Sequence, residues 1–363
     1  MSIPPATHTP RKAAYWHVVE GSILCDLCPR RCHIKEGNLG FCGTRRNVAG
    51  GLEALNYGKV AVSALDPIEK KPIFHFHPGA QVYSVGTFGC NLDCGNCQNS
   101  TLARSGGEVP YGYFTPEEAA ITALEKGADG VAFTYNEPTV WAEYIMDVAP
   151  ELRKRGLSTV LNTNGYIEPW AAEDLYDLVD AANIDVKGFT EHFYHSNCGG
   201  RLEEVLETCT IARDAETHVE LTYLLIPGRN DTLREIKAFC RWVEEEMGDD
   251  TPVHFFRFRP SYRLSDLPEQ TMERMEEALR VAQGEGLRFV YLAGVVGTPR
   301  QNTYCPECGE LLVERGSVEP SEATLFMQEK VSRFCPSYAE VRMHFDGKRC
   351  PKCSETIPFV LKP

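Results

Sequence analysis

Three cysteines stand close together in "GCNLDCGNCQN" (89–99), at positions 90, 94 and 97. The glycines and asparagines among them favour a tight loop over a helix or a strand. A 4Fe-4S cluster contains four irons and normally binds four thiolates, so a loop that supplies three leaves one iron open to a small molecule. Cys90, Cys94 and Cys97 are therefore predicted to hold a redox cluster with a free coordination site. The alternative is a structural zinc that takes a fourth ligand from elsewhere in the chain.

Eight further cysteines form two groups of four, namely Cys25, Cys28, Cys32 and Cys42, and Cys305, Cys308, Cys350 and Cys353. The C-terminal group is a pair of CxxC motifs, which predicts a structural zinc site, with a rubredoxin-like iron as the alternative. The N-terminal group suits zinc or a second 4Fe-4S cluster, and zinc is slightly favoured because the sequence shows no path for electrons. The lone Cys335 is either a spare ligand or a small buried apolar residue.

The elements that must position these cysteines alternate between about residues 80 and 300. Short β-branched runs there are separated by longer helical stretches, as in a parallel sheet with crossover helices. The predicted strands are 81–88, 130–135, 158–163, 181–188, 218–226, 253–258 and 288–293. One helix is predicted to begin at Thr115, with Pro116 at its first position and Glu118 completing a capping box, and to end at Gly127. Six or seven such units favour a full or partial β/α barrel over a doubly wound sheet.

Polar residues follow the predicted strands at the end where a β/α barrel carries its active site. They are Asn136 and Glu137; Asn162, Thr163, Asn164 and Gly165; Asp185 and Lys187; Pro227, Gly228, Arg229, Asn230 and Asp231; and His254, Arg257 and Arg259. Each alone is commonly a turn former, but their repetition along one rim favours a binding site.

Three more residues have a structural and a functional interpretation. His75 and His77 precede the three-cysteine loop and are expected to be structural, with substrate contact as the alternative. Cys198 lies in "HSNCGGR", which suggests an exposed loop cysteine, with a catalytic thiol as the alternative.

Composition limits the classes of protein that this chain can belong to. Its 363 residues are 43% hydrophobic and 24% charged, as in an ordinary globular protein of two or three domains. A net charge of −14 argues against a nucleic-acid binder or a polybasic membrane protein. The N-terminal residues lack the apolar core of a signal peptide, and no run of about 18 apolar residues occurs, so a cytoplasmic location without a membrane segment is expected. In a reducing cytosol the fifteen cysteines point to metals rather than disulfides.

Several stretches resemble the radical S-adenosylmethionine (radical SAM) superfamily, whose CxxxCxxC loop follows the first strand of a partial β/α barrel. They are "DPIEKKPIFHFHPG" (66–79), "SVGTFGCNLDCGNCQN" (84–99), "TYNEPT" (134–139), "NTNGY" (162–166), "NIDVKGF" (183–189), "IPGRND" (226–231) and "NTYCPECGELL" (302–312). The resemblance extends to the group related to pyruvate formate-lyase activating enzyme and, within it, to the AmmeMemoRadiSam system radical SAM enzymes.

The resemblance implies a partial (β/α)6-type TIM barrel at 80–300, a cysteine-rich N-terminal segment at 1–79 and a zinc-ribbon-like domain at 301–363. It also implies that S-adenosylmethionine binds the open iron and is cleaved reductively to a 5′-deoxyadenosyl radical.

By position, Asn136 and Glu137 would bond the methionyl amino group, and Thr163 and Asn164 the ribose or sulfonium side. Asp185 and Lys187 would contact the ribose and carboxylate, and Gly228 would lie under the adenine.

The sequence departs from the family at two places. Asn96 stands where an aromatic residue commonly packs against the adenine, so a polar or main-chain contact is expected there. The stretch from 317 to 350 is longer than the family pattern and is interpreted as an insertion that modifies substrate access.

Three functions follow from these motifs. The first is a radical SAM enzyme that acts on a small molecule or a Memo-like partner, with flavodoxin or ferredoxin as the reductant. The second is an activase that forms a glycyl radical on a partner protein. The third is a zinc-ribbon scaffold without catalysis, against which the intact three-cysteine motif argues.

Overall fold

A computed structural model describes residues 11–318, 337–345 and 347–362. Cys335 and most of the predicted insertion lie outside these residues. In chain order the strands are β1 (Arg11–Lys12), β2 (Trp16–Val19), β3 (Ser22–Cys25), β4 (His33–Ile34), β5 (Arg45–Val48), β6 (Gly51–Ala54), β7 (Lys59–Val60), β8 (Val62–Pro67), β9 (Gln81–Gly86), β10 (Gly112–Tyr113), β11 (Gly130–Phe133), β12 (Ser158–Thr163), β13 (Ala181–Asp185), β14 (His218–Leu225), β15 (Val253–Arg257), β16 (Val290–Ala293), β17 (Thr303–Tyr304), β18 (Leu311–Val318) and β19 (Ser337–Met343).

The helices surround the largest sheet and follow its strands. They are α1 (Ser100–Ala103), α2 (Pro116–Glu125), α3 (Ala142–Arg153), α4 (Pro169–Tyr176), α5 (Glu191–Phe193), α6 (Glu203–Asp214), α7 (Leu233–Trp242) and α8 (Met272–Gly284). The predicted start of α2 is confirmed, because the Thr115 hydroxyl accepts from the Glu118 N–H and the Glu118 carboxylate accepts from the Thr115 N–H. Within the described residues, no helix is long and apolar enough to cross a bilayer.

The largest sheet has eight strands in the order β16-β15-β14-β13-β12-β11-β9-β8. All neighbours from β9 to β16 pair in parallel, and β8 pairs with β9 antiparallel. The strands follow one another in chain order, whereas a doubly wound sheet would reverse its order part-way. Six strand-and-helix units and a last strand, β16, therefore form the predicted partial barrel.

The bottom of the barrel is closed by the floor segment, which we define as residues 68–80. Pro67 pairs with Gln81 at the amino end of β9, so this segment leaves β8 at the amino ends of the parallel strands. Buried polar side chains inside the barrel hold its backbone. Glu220 accepts from the N–H groups of Phe74 and His75, and Asn183 donates to the Pro72 carbonyl. The predicted N-terminal segment, 1–79, thus supplies one strand and the floor of the barrel.

Two small cysteine-bearing units pack on the barrel. On the N-terminal side, β1-β6-β5 and β2-β3-β4 form three-stranded antiparallel sheets. Arg45 on β5 forms a buried ion pair with Glu143 on α3, which ties this unit to the barrel. On the C-terminal side, β17-β18-β19 form a third small sheet. Its apolar residues share a core with Phe74 of the floor segment and with Tyr291 on β16.

Candidate active site

A cavity of about 250 Å³ lies inside the barrel, at the end where the parallel strands terminate. We call it the barrel cavity. Its lining includes ten of the eleven residues that the sequence predicts for cluster and cofactor binding: Cys90, Cys94, Asn96, Cys97, Asn136, Glu137, Thr163, Asn164, Asp185 and Lys187. They come from the loops after β9, β11, β12 and β13, which explains why residues so far apart in the chain meet here.

The three cysteines lie on the cluster loop, residues 87–99, directly after β9. Main-chain bonds fix this loop to the segment after α5: Asp93 donates to the Cys198 carbonyl at 2.8 Å, and Gly95 donates to the Asn197 carbonyl at 2.9 Å. The sulfur of Cys90 accepts from the Leu92 N–H at 3.5 Å. Burial raises the pKa of the Cys97 thiol to about 11 and also raises the pKa of Cys90. These two thiols therefore need a bound cation to persist as thiolates near neutral pH.

Glu137 organises the neighbouring side of the barrel cavity. Its carboxylate accepts from the Thr139 N–H at 2.8 Å, from the Thr163 hydroxyl at 2.6 Å and from the Asn164 N–H at 2.8 Å. Burial raises the pKa of Glu137, and these hydrogen bonds act in the opposite direction. One buried carboxylate thus joins the loops after β11 and β12.

Asn164 connects this network to the cluster loop. Its side-chain amide donates to the Asn91 side chain at 2.9 Å and lies 3.7 Å from the Cys90 sulfur. Asn136 acts on the same loop from the other side, accepting from the Thr87 N–H at 2.9 Å and donating to the Gly89 carbonyl at 3.0 Å. Both side chains hold the conformation that presents Cys90.

Asp185 and Lys187 form an ion pair of 2.9 Å at the end of β13. Burial disfavours the charged form of Lys187, but the Asp185 carboxylate and the Cys94 sulfur more than offset it, so the pKa of Lys187 lies well above its usual value. Lys187 is therefore a permanent cation beside the cluster loop. Such a compact charge suits an anionic ligand group.

Two predicted cofactor residues differ from the rest. Asn96 lines the barrel cavity, and its side-chain oxygen accepts from Asn197 at 2.9 Å, so it presents a polar surface. Gly228 is exposed and does not line the cavity. It lies in the turn after β14, where its N–H donates to Asp231 at 2.9 Å, and its φ of +67° suits a glycine.

A charged cluster of Asp66, Lys70 and Lys71 lies on the floor of the cavity and was not predicted from the sequence. Lys70 and Lys71 line the cavity, and each donates to a different oxygen of Asp66 at 2.8 Å. Tyr135 donates to the same carboxylate at 3.1 Å. Burial alone would raise the pKa of Asp66, but the two ammonium groups hold it well below its usual value. The doubled lysine in "DPIEKK" was the available signal for this cluster.

The histidines and Cys198 take structural positions. His75 is fully buried, its Nε2 lies 2.6 Å from the Tyr291 hydroxyl, and its ring stacks on Phe359. His77 is half-buried and stacks on Phe76. Neither lines the barrel cavity. The prediction that Cys198 is exposed is wrong, because the turn after α5 folds inward and buries it. Its thiol hydrogen-bonds to Cys94 and lowers the pKa of that cysteine to about 7.

The C-terminal cysteines converge on one point. Cys305 and Cys353 have sulfurs 3.5 Å apart, and those of Cys308 and Cys350 are 3.6 Å apart. All four sulfurs lie within 4.8 Å of one another. Zinc–sulfur bonds of about 2.3 Å in a tetrahedron separate the sulfurs by about 3.8 Å. The four thiols can therefore bind a single metal ion.

Comparison with known proteins agrees with this geometry. Residues 84–243 match the model of the Radical SAM superfamily, and this range includes the cluster loop and the loops after β11, β12 and β13. Residues 84–243 form a radical SAM superfamily domain.

Three relatives illustrate how far the likeness extends. An uncharacterized protein of Methanocaldococcus jannaschii is 41% identical over 353 residues, which cover 97% of this chain and 100% of that one. Pyruvate formate-lyase 1-activating enzyme of Escherichia coli is 23% identical over 222 residues, or 56% of this chain and 89% of that one. A solved radical SAM methyltransferase from Sphaerobacter thermophilus aligns with a TM-score of 0.48 at 16% identity, covering 65% of this chain and 71% of that one.

A radical SAM superfamily domain supports an enzyme and implies a 4Fe-4S cluster with S-adenosylmethionine. The residues present fit both groups. Three partly buried thiols open on one cavity, and beside them lie a buried carboxylate, Glu137, and a cation, Lys187. An amino acid moiety carries the opposite charges, an ammonium and a carboxylate, so this pair of side chains suits it.

Proposed function

We propose that the protein binds a 4Fe-4S cluster through Cys90, Cys94 and Cys97 and cleaves S-adenosylmethionine reductively in the barrel cavity. The observation that carries the proposal is that these cysteines share one cavity with Glu137, Asp185 and Lys187. When bound, the cluster and S-adenosylmethionine supply a 5′-deoxyadenosyl radical that abstracts hydrogen from a substrate. The side chains of the barrel orient the bound groups and exclude water.

The charges assign a role to each end of the bound amino acid moiety. Glu137 attracts the methionyl ammonium, and Lys187 attracts the carboxylate. Thr163 and Asn164 lie next to Glu137 and bond the ribose or sulfonium side, while Asp185 holds Lys187 in place. Asn136 acts mainly by positioning the cluster loop, since both ends of its amide already bond that loop. Asn96 offers a polar edge to the adenine, and Gly228 reaches the adenine only after a rearrangement of its exposed turn.

The floor of the barrel cavity supports a small substrate with an anionic group. Lys70 and Lys71 both line the cavity and share the Asp66 carboxylate. Two ammonium groups in the lining suit a carboxylate or a phosphate. Thr222, Leu224 and Phe256 line the space as well and give the substrate both polar and apolar contacts.

A glycyl-radical activase is the second candidate, because pyruvate formate-lyase 1-activating enzyme is among the relatives. In that case the substrate is a protein, and a backbone radical forms on it. The motif resemblance further suggests the AmmeMemoRadiSam group, a Memo-like partner and flavodoxin or ferredoxin as the reductant. We propose a structural zinc for the C-terminal four cysteines, because their sulfur separations match that ion.

The first test replaces Cys90, Cys94 and Cys97 by alanine and measures iron, sulfide and zinc per chain after anaerobic reconstitution. The triple variant is expected to lose about four irons and to keep its zinc. With dithionite and S-adenosylmethionine, the wild type is expected to form 5′-deoxyadenosine, measured by liquid chromatography and mass spectrometry. The variant is expected to form none.

A matched control replaces two buried cysteines on outer helices, Cys209 and Cys240, by alanine. This variant should keep the iron content and the 5′-deoxyadenosine yield of the wild type. A wild type without iron, or a triple variant that still cleaves S-adenosylmethionine, would contradict the proposal. A stable organic radical on a partner protein would identify the activase.

A further inference from the structure

The N-terminal four cysteines surround a second, small cavity beside the cluster loop. Cys25, Cys28, Cys32 and Cys42 all line it. They come from the end of β3 and from the loops on either side of β4. Two backbone hydrogen bonds hold these segments together. The Cys25 N–H donates to the Cys32 carbonyl at 3.0 Å, and the Arg31 N–H donates to the Cys28 carbonyl at 3.0 Å. These cysteines precede residues 84–243, so the superfamily match does not assign them.

Sulfur spacing separates this group from the C-terminal one. Within the described part of the chain, one set of candidate ligand atoms lies mutually within 4.8 Å, and it is Cys305, Cys308, Cys350 and Cys353. Among the described residues, no three of the N-terminal sulfurs lie mutually within that distance, and neither do those of Cys90, Cys94 and Cys97. A single tetrahedral zinc needs sulfurs about 3.8 Å apart. A 4Fe-4S cluster needs wider spacing, because each thiolate binds a different iron.

The charges around the N-terminal cavity suit an iron–sulfur cluster. Four thiolates around a cluster carry net negative charge, which buried cations must offset. Arg45 and Arg30 both line this cavity. Arg45 is 1% exposed; besides its ion pair with Glu143, it attracts the sulfurs of Cys25 and Cys42. Arg30 lies on the opposite side and donates to backbone carbonyls of the barrel, including that of Gly199 at 2.7 Å.

The N-terminal cavity also touches the cluster loop directly. Asn91, the neighbour of Cys90, lines this cavity, and its backbone carbonyl accepts from Arg30. Gly89, the other neighbour of Cys90, packs so tightly on this unit that an added Cβ would lie 2.5 Å from the Cys42 carbonyl oxygen. The residues on both sides of Cys90 therefore contact the N-terminal unit. The two groups of cysteines are thus joined by direct contacts, as transfer of electrons between them would require.

We propose that Cys25, Cys28, Cys32 and Cys42 bind a second 4Fe-4S cluster, which receives one electron from a one-electron protein donor and passes it to the cluster at Cys90, Cys94 and Cys97. The relay role rests on the proposed function, whereas the metal site itself does not. The contact through Asn91 and Gly89 brings the two sites together.

The test compares metal content in three proteins: the wild type, the variant with alanine at Cys90, Cys94 and Cys97, and a variant with alanine at the four N-terminal positions. We expect about eight irons in the wild type and about four in each variant, with equal zinc in all three. The first variant keeps the N-terminal ligands. After reduction with dithionite, it should give the electron paramagnetic resonance signal of a reduced 4Fe-4S cluster, which tests the site even if the second variant does not fold.

The outcomes separate this inference from the proposed function. Four irons in the wild type, all lost with Cys90, Cys94 and Cys97, would overturn the second cluster and leave the proposed function intact. Two zincs per chain, one lost with the four N-terminal cysteines, would overturn it in favour of zinc. If the first variant keeps every iron of the wild type, the proposed function fails instead. The relay is overturned if the N-terminal variant folds, keeps about four irons and forms 5′-deoxyadenosine at the wild-type rate with a reduced flavodoxin as donor.

Discussion

At the scale of single residues, Lys70 and Lys71 both bond the buried Asp66 carboxylate at the floor of the barrel cavity. The side chains of Lys71 and Asp66 are 3% and 4% exposed, so their ion pair is almost fully removed from water. A buried pair of this kind costs desolvation energy and contributes little net stability. A second lysine on the same carboxylate, Lys70, also lines the cavity. The two ammonium groups in the lining are the physical reason for assigning an anionic group to the substrate.

Replacing Lys71 by methionine tests this assignment. This change removes one of the two ammonium groups that line the cavity, so the floor should attract anions less strongly. Inorganic phosphate is expected to raise the thermal midpoint of the cluster-loaded wild type above the value in sodium chloride of equal ionic strength. In the variant, this rise should fall to less than half.

The control is Lys237→Met. Glu285 pairs with both Lys237 and Arg241, so this change also removes one lysine from a carboxylate that keeps a second cation. It should leave the phosphate effect unchanged. An equal phosphate effect in Lys71→Met would show that the anion does not bind at the floor.

At the scale of elements, the contact between the N-terminal unit and the cluster loop depends on Gly89. Gly89 is buried with a φ of +87°, and an added Cβ would approach both Cys42 and Thr44 within 2.5 Å. Alanine would therefore force the cluster loop away from the N-terminal unit. Both groups of cysteines flank this contact.

The prediction is that Gly89→Ala lowers the iron content and the free energy of unfolding. Gly106 provides the control, because its φ of +61° imposes similar backbone strain but nothing lies within 4 Å of an added Cβ. Gly106→Ala should lose about 1 kcal/mol from that strain. Gly89→Ala should lose a further 1–3 kcal/mol or so from overpacking, measured by urea unfolding under anaerobic conditions. Equal losses would mean that the close contact is not maintained in solution.

The barrel elements could be predicted because their signals are local. Each predicted strand from 81–88 to 288–293 is present, and 158–163 matches β12 at both ends. Several end earlier than predicted, such as β13 at Asp185, because the polar residues beyond turn into the site. Strand β8 was missed, since "VSALDP" acquires its antiparallel partner only through the tertiary fold. The floor lysines were missed for the same reason.

In the candidate site, too, residues with a local sequence signal could be predicted, whereas contacts that depend on the tertiary fold could not. Motif spacing placed Glu137, Thr163 and Lys187 at the ends of successive strands, and the barrel brings them together. The sequence could not reveal that Asn136 bonds the cluster loop, because that bond depends on the register between β9 and β11. Nor could it show that Cys198 turns inward, since "HSNCGGR" resembles an exposed loop.

At the scale of the whole molecule, buried histidines link stability to pH. His75 is enclosed by Phe289, Tyr291 and Phe359, and the charged groups around it include Glu220, His218, His254 and Arg315. Burial lowers the pKa of His75 from its ordinary 6.5 to about 3. The unfolded chain therefore binds a proton below pH 6.5 that the folded chain binds only near pH 3.

Stability is consequently lost as pH falls from 6.5 toward 3, by up to about 1.4 kcal/mol per pH unit for this one group. Between pH 7.5 and 5.5, the free energy of unfolding of His75→Gln should fall by about 1 kcal/mol less than that of the wild type. Urea unfolding at the two pH values measures the difference. Replacement of the exposed His195 by glutamine should keep the wild-type pH response, and identical responses in all three proteins would contradict the prediction.

Arg315 on β18 joins the unit that carries the C-terminal four cysteines to the floor of the barrel cavity. It donates to the Phe74 carbonyl at 2.7 Å and lies 3.7 Å from Glu69, next to Lys70. The core around Phe74 also contains Cys305 and Cys350. A metal bound at the cysteines and an anion bound at the floor would therefore both contact the same packed core. Any coupling free energy between two binding sites is reciprocal. If metal at the cysteines tightens anion binding at the lysines, the anion strengthens metal binding by the same factor. The fraction of chains that hold metal would then rise with the concentration of the anion.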